Sequence, residues 1–273
     1  MFADLLELYC QSVGWTAREE DHDADINGFA QHAPDETTLK AALTEIAQAI
    51  NTKPPEFKII PIANRNWVAE NIKNFPPLTA GQFFICGTEY DGNTPAGKTV
   101  LQVPAGIAFG SGNHGSTKGC LLAIDRIKDR SINRALDMGC GSGILSLAIA
   151  KRWPARIVAS DIDSGAVDVT QENAIRNATG RAILAVRAAG YDHPDVRGHR
   201  YDLIVSNILV RTLTRQSKDL ARYLRPGGTA ILSGLLLKDG VRVVAAHRRQ
   251  GLYLHRRIIV DGWLTLVMRK RST

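Results

Sequence analysis

Three groups of residues in this chain have the types and spacing that ligand chemistry requires. The first is Asp137-Met138-Gly139-Cys140-Gly141-Ser142-Gly143, which follows a short apolar run and opens a helical pattern. Glycines here let the chain turn tightly and let a ligand approach the backbone with no Cβ in the way. The start of the following helix offers unpaired amide donors to an electron-rich group. The second is Asp161, 22 residues beyond Gly139 and one strand–helix–strand step later. A carboxylate there can accept both hydroxyls of a ribose. Nearby Asp163 precedes Ser164-Gly165 and a helical run, so it reads as a helix cap. The third is Asn207, in Ser206-Asn207-Ile208-Leu209 at the carboxyl end of an apolar run, where ligands of open α/β sheets sit. Its amide carries a donor and an acceptor that can hold an amine. The plainer alternative is that it caps the next helix.

Glycine spacing narrows the ligand. A dinucleotide fingerprint reads G-x-G-x-x-G, with a pyrophosphate at the helix start. Here the glycines fall at 139, 141 and 143, and Ile occupies 144. That spacing suits a nucleoside ligand without phosphate, such as S-adenosylmethionine, whose amino-acid tail would pass the loop; a dinucleotide is the alternative. A further loop, Phe109 to Thr117, combines glycines with polar side chains just upstream of a helix and reads as a binding flap. His114 within it is read as a hydrogen-bonding bystander rather than a base, because nothing places a charged partner beside it.

The elements that must position these groups follow from periodicity. Ala135 to Met138, Arg156 to Ser160, Tyr201 to Val205 and Gly228 to Leu232 read as strands. Helices are expected over Ile144 to Arg152, over Ala166 to Asn177 and after the third strand as far as Tyr223. Strands alternating with helices of this length imply a parallel sheet covered on both faces, a doubly wound Rossmann-like α/β fold. The end differs: His255 to Val260, then Asp261-Gly262, then Trp263 to Arg269 reads as an antiparallel hairpin about a D-G turn. Phe83 to Cys86 and Thr99 to Val103 read as strands leading into this domain.

Upstream lies a small α+β module. Leu5, Leu6, Tyr9 and Val13 predict an amphipathic helix ending at Gly14, followed by an exposed acidic stretch from Glu19 to Asp25. A second helix is expected from Asp35 through Leu39, Leu43, Ile46 and Ile50, and a strand over Phe57 to Ile62. A short helix around Trp67 to Lys73, stopped by Pro76-Pro77, is read as the linker. The expected division is 1–63, linker 64–77 and 78–273.

Composition excludes several classes. The 273 residues are 44% hydrophobic and 22% charged, ordinary for a globular protein with a core. Cys10, Cys86, Cys120 and Cys140 stand far apart, which suggests neither a disulfide framework nor a metal site, and reduced thiols fit a cytoplasmic protein. No stretch approaches the roughly 20 apolar residues of a membrane span. The net charge is +7, with basic residues clustered late at His247-Arg248-Arg249, His255-Arg256-Arg257 and Arg269-Lys270-Arg271. Such a surface can draw in RNA or an acidic partner, but no aromatic residues interleave as a stacking platform, so a solvated cationic face is the plainer reading.

The segments Pro104 to Thr117, Asp137 to Leu145, Asp161-Ile162-Asp163, Ser206 to Leu209 and Asp261 to Leu266 together resemble the PrmA family, methyltransferases that modify protein eleven of the large ribosomal subunit. The resemblance implies a ferredoxin-like N-terminal recognition domain joined to a catalytic domain that uses S-adenosylmethionine. It implies cofactor-binding roles for Thr117, Gly139, Asp161 and Asn207, beside Gly141 of the glycine loop, and a place for Asn207 in positioning the acceptor amine. The family carries Thr at positions 111 and 116, where this chain has Ser; the hydroxyl is kept, so binding is expected to survive. A monomer acting on a protein substrate follows, with no metal. The alternatives are a methyltransferase for RNA or another protein, although base-directed enzymes often carry Asn-Pro-Pro-aromatic in place of Asn207-Ile208-Leu209, and a non-catalytic cofactor-binding module.

Overall fold

The computed structural model describes residues 2–6, 9–10, 12–17, 24–30, 33–60, 77–104, 115–128 and 131–272. They fall into two compact units, Met1–Arg65 and Asn66–Thr273. The expected linker helix Trp67 to Lys73 lies outside the described residues.

In the first unit, α1 (Phe2–Leu6) precedes an antiparallel pair, β1 (Ser12–Ala17) and β2 (Ala24–Phe29), and then α2 (Glu36–Ala49). The expected first helix is therefore corrected. Tyr9 and Cys10 lie outside any helix, and Gly14 lies in β1, because Val13, Trp15 and Thr16 favour extended backbone and pair with β2. Asp25, expected in an exposed acidic stretch, lies in β2, and residues 18–23 are outside the described ones. The second helix forms as read. Asp35 caps it by accepting from the N–H of Thr38 at 2.8 Å, and Leu39, Leu43 and Ala47 bury one stripe at helical spacing. The strand expected over Phe57 to Ile62 is also corrected: residues 57–60 form none. Pro54 and Pro55 remove backbone donors, and Ile60, 72% exposed, has no surface to bury against.

The second unit contains a three-stranded sheet, β3 (Leu78–Ala80), β4 (Phe83–Cys86) and β5 (Thr99–Gln102), and a seven-stranded one. The latter is built from β6 (Arg134–Met138), β7 (Arg156–Asp161), β8 (Ile183–Arg187), β9 (Tyr201–Asn207), β10 (Leu224–Leu236), β11 (Leu252–Val260) and β12 (Trp263–Lys270). Its order is β11-β12-β10-β9-β6-β7-β8. Strands β8, β7, β6, β9 and β10 run parallel, and β12 inserts antiparallel between β10 and β11. The hairpin turn is as read: Asp261 and Gly262 both have positive φ, 48° and 76°, which the two central residues of a tight hairpin turn need.

Both faces of the sheet are covered, and alternation along the strands shows it. Ala135, Leu203 and Val205 join one core, with α3 (Gly115–Asp125) and α4 (Ile144–Arg152) packed on it. Leu136, Ile204 and Leu232 join the other, under α7 (Val210–Arg215), α8 (Ser217–Tyr223) and α9 (Gly240–Arg248). Between them in sequence lie α5 (Ser164–Arg176), capped by Asp163 through the N–H of Gly165 at 2.9 Å, and α6 (Pro194–Arg197). The single helix expected up to Tyr223 is in fact α7 and α8, broken at Gln216. Strand order reverses direction between β6 and β9, a topological switch point, and ligand crevices open beyond the carboxyl ends of the strands there.

Candidate active site

Chain direction and register bring the three sequence groups to one end of the parallel strands. After Met138 the backbone turns through Gly139 (φ 76°), Gly141 (φ 54°) and Gly143 (φ 76°), the last standing at the start of α4. Gly139 is needed on two counts: its φ is unfavourable for any side chain, and a Cβ there would overlap Cγ2 of Ile208. The loop is tied to the end of β7, since the carbonyl of Ser160 accepts from the N–H groups of Gly139 (2.8 Å) and Cys140 (3.1 Å).

Asp161 continues that tie. Its Oδ2 accepts from the N–H of Gly141 at 3.0 Å and its Oδ1 from the N–H of Asp163 at 3.1 Å. A carboxylate oxygen has two acceptor positions, so each oxygen keeps one for a further donor. Spacing pointed to Asp161 as a ribose acceptor but could not show that it also stiffens the glycine loop.

Asn207 ends β9, half-buried, and its Nδ2 donates to Oγ1 of Thr117 at 3.2 Å. Thr117 is buried in the first turn of α3, so the expected flap is helical from Gly115 onward; residues 105–114, with Ser111 and His114, lie outside the described residues. The capping alternative for Asn207 fails: α7 starts after Leu209, with no side-chain cap. Its Oδ1 is buried with no hydrogen-bond partner. A buried acceptor without a donor carries a desolvation cost of about 1–3 kcal/mol, which a donor on a ligand would relieve.

Gly139, Gly141, Asp161 and Asn207 line a single cleft of about 590 Å³. Its walls are largely apolar, with Met138, Ile162, Ala188, Ile208 and Leu209 among them, the composition of a site for a nucleoside-sized ligand. Ser116, buried in the first turn of α3, also borders it. Sequence reasoning missed Ala188 to Gly190, because it did not read the apolar run Ile183–Val186 as a strand. It also missed Trp263, which reaches the cleft from the terminal hairpin.

Behind the loop, Asp137 is buried. Its Oδ2 accepts from the N–H (3.0 Å) and the hydroxyl (2.7 Å) of Ser146, which pins the first turn of α4 to β6. Burial pushes its carboxyl up to about 6 against those hydrogen bonds, and the charge of Asp161 adds to the shift. All four cysteines are free, and burial raises Cys120 to about 12, far from a nucleophile's range. Among the described residues, no group of His, Cys, Asp and Glu could hold a metal ion.

The residues fit S-adenosylmethionine: a Cβ-free bend, a carboxylate with spare acceptor positions, apolar walls and an unpartnered buried amide oxygen share one cleft. Comparison with known proteins points the same way. The family model described as Ribosomal protein L11 methyltransferase (PrmA) matches residues 9–271. A ribosomal protein L11 methyltransferase of Bradyrhizobium diazoefficiens is 35% identical over 253 residues, covering 90% of this chain and 83% of the relative. One of the same name from Mesorhizobium japonicum is 36% identical over 91% of this chain and 86% of its own length. In fold, the chain resembles the crystal structure of the ribosomal protein L11 methylase of Lactobacillus delbrueckii subsp. bulgaricus, with a TM-score of 0.63 at 24% identity, over 72% of this chain and all of that one. With the family model spanning nearly the whole length, the chain belongs to the ribosomal protein L11 methyltransferase (PrmA) family.

Proposed function

We propose that this protein transfers methyl groups from S-adenosylmethionine to amine nitrogens of ribosomal protein L11, on lysine side chains, the N-terminal α-amine or both. Family membership and the names of full-length relatives support the reaction and the substrate. The observation that carries the assignment of the site is the meeting of Thr117 and Asn207 beside the glycine loop and Asp161.

Bound S-adenosylmethionine supplies a methyl group activated by its sulfonium. The chain supplies alignment and a dry site. Asp161, which holds the N–H of Gly141, would accept the ribose hydroxyls through its remaining acceptor positions, so that ligand and loop would share one anchor. Gly139 and Gly141 let the amino-acid tail lie against the backbone. Thr117 fixes the Asn207 amide through Nδ2, which leaves Oδ1 to accept an N–H from the incoming amine and aim its lone pair. A free lysine has a pKa near 10.4, so the apolar walls assist by favouring its neutral form.

The first unit is assigned as the substrate-recognition module, joined through the segment 64–77. We read the enzyme as a cytoplasmic monomer, with its reduced thiols in support of the compartment. Among the described residues, no helix is long and apolar enough to cross a membrane. The test is incubation with labelled methyl donor and ribosomal protein L11, followed by mass mapping. Label on L11 amines is expected; label confined to RNA or to another protein would overturn the substrate.

A further inference from the structure

The late basic residues are not absorbed by the methyl-transfer site, and two helices gather part of them into a second feature. A groove of about 600 Å³ is lined by Arg211 and Arg215 of α7 together with Arg242 and Arg249 of α9 and its end. Spacing explains the gathering. Arg211, Thr214 and Arg215 stand at i, i+3 and i+4 on one face of α7. Arg242, Ala245, Ala246 and Arg249 stand at i, i+3, i+4 and i+7 on one face of α9, whose opposite face buries Val243, Val244 and His247. The two helices pack together, so their outward stripes form the walls, and the alanines leave a floor that a bulky chain can approach closely.

The groove's charge is unbalanced. Two arginines outside it meet acids, Arg225 with Asp202 at 2.7 Å and Arg197 with Asp192 at 3.8 Å. Among the described residues, the four groove arginines are all exposed, no carboxylate lines the groove, and none of the four has an ion pair. Four like charges so placed focus a positive potential. Of the remaining polar lining, Gln250 offers a side-chain amide donor, while the Thr214 hydroxyl already donates to the carbonyls of Val210 and Arg211 and Ser217 is buried. Arginine with an amide donor suits phosphate and sugar oxygens of nucleic acid, and no aromatic side chain lines the groove to anchor a protein segment or stack a base. Arg215 marks the position: it lines both this groove and the cleft that holds Asp161 and Asn207.

We infer that this groove is a sequence-independent binding site for the phosphate backbone of RNA, placed so that the RNA runs beside the mouth of the catalytic cleft. The binding site stands apart from the identity of the methyl acceptor. Its use, presenting an acceptor protein together with RNA, rests on the function proposed above.

Anisotropy of a labelled oligouridine of about 20 nucleotides, titrated with the full chain in low and high salt, tests the site. Neutralising four phosphates on a single strand gives a salt slope of about −2.8, so affinity should fall about 50-fold between 50 and 200 mM salt. Arg242→Ala with Arg249→Ala leaves two contacts and should reduce that fall to about sevenfold. Arg211→Ala alone, on the other helix, should reduce it to about 20-fold. A charge-matched control, Arg156→Ala with Arg181→Ala, both exposed and outside the groove, should keep the full fall. Equal weakening in the control and the groove variant would overturn the inference, as would a groove variant that binds like the parent. Methylation of RNA-free acceptor protein should stay at the parent rate in Arg242→Ala with Arg249→Ala; its loss would mean that an acidic protein segment occupies the groove, which also overturns the inference.

Discussion

Replacing Gly139 by Ala isolates the backbone geometry on which the cleft is built. Two costs can be separated. The residue sits at φ 76°, and the left-handed region costs a side-chain-bearing residue about 1–2 kcal/mol. The added methyl overlaps Cγ2 of Ile208, a β-branched side chain with little freedom to turn aside, and such overpacking costs about 1–3 kcal/mol. Together they amount to about 2–5 kcal/mol. In a unit the size of Asn66–Thr273, this lowers the melting temperature by about 5–15 °C. The overlap can be removed independently by Ile208→Ala, while the φ cost cannot. A double-mutant cycle on thermal or urea unfolding should therefore give a favourable coupling of about 1–3 kcal/mol between the two substitutions. S-adenosylmethionine affinity, read by calorimetry, should drop in Gly139→Ala and recover only in part in the double variant. Additive effects within about 0.5 kcal/mol, or parent-like melting in Gly139→Ala, would refute the packing argument.

Other perturbations separate the remaining roles. Asp161→Ala removes the partner of the Gly141 N–H and the proposed ribose acceptor; losing charge-assisted bonds of about 1.5–3 kcal/mol should raise the S-adenosylmethionine dissociation constant about 10- to 100-fold, and an undisturbed constant would count against the assignment. Asn207→Ala should cut turnover about 100-fold with the protein still folded, since misplacing the reacting amine by about 1 Å is enough. Thr117→Val should cut it less, because the amide loses only its tether; parent-like turnover in both would end the positioning role. Asp137 binds a proton more readily when folded, up to about 6, than its ordinary 3.8. The folded state therefore holds the extra proton between these values, and stability falls as pH rises through that window. Asp137→Asn removes the dependence, so its melting temperature relative to the parent should climb from about pH 4 to about pH 6 and then level; parallel curves would show that the buried carboxyl is not penalised.

The sequence announced its sheet where strands are buried on both faces and stopped by glycine or by a capping acid. Ile157–Ala159 and Leu203–Val205 are unbroken apolar centres of β7 and β9, and Asp163 caps α5 as its position predicted. The D-G turn fixed the hairpin because its two residues tolerate positive φ. What escaped depended on partners distant in sequence. Ser12–Ala17 becomes a strand only by pairing with Ala24–Phe29, and helical spacing of apolar residues up to Val13 masked it. In Gly240–Arg248 the apolar residues do not mark one face, since Val243 and Val244 are buried while Val241 is 76% exposed. In the site, residue types and spacing named Gly139, Asp161 and Asn207, yet the bond from Asn207 to Thr117 joins positions 90 apart and exists only once α3 packs against the end of β9. Likewise, the second duty of Asp161, holding Gly141, is a consequence of the parallel pairing of β6 with β7.

A crystal structure of the protein soaked with S-adenosylhomocysteine most directly tests whether this crevice is the methyl-transfer site. The ribose hydroxyls should lie about 2.5–2.8 Å from the carboxylate of Asp161, with the amino-acid tail along Gly139–Gly141 and the sulfur turned towards Asn207. A nucleoside bound elsewhere, or a crevice closed by Ile208 and Leu209 with no ligand in it, would contradict the account.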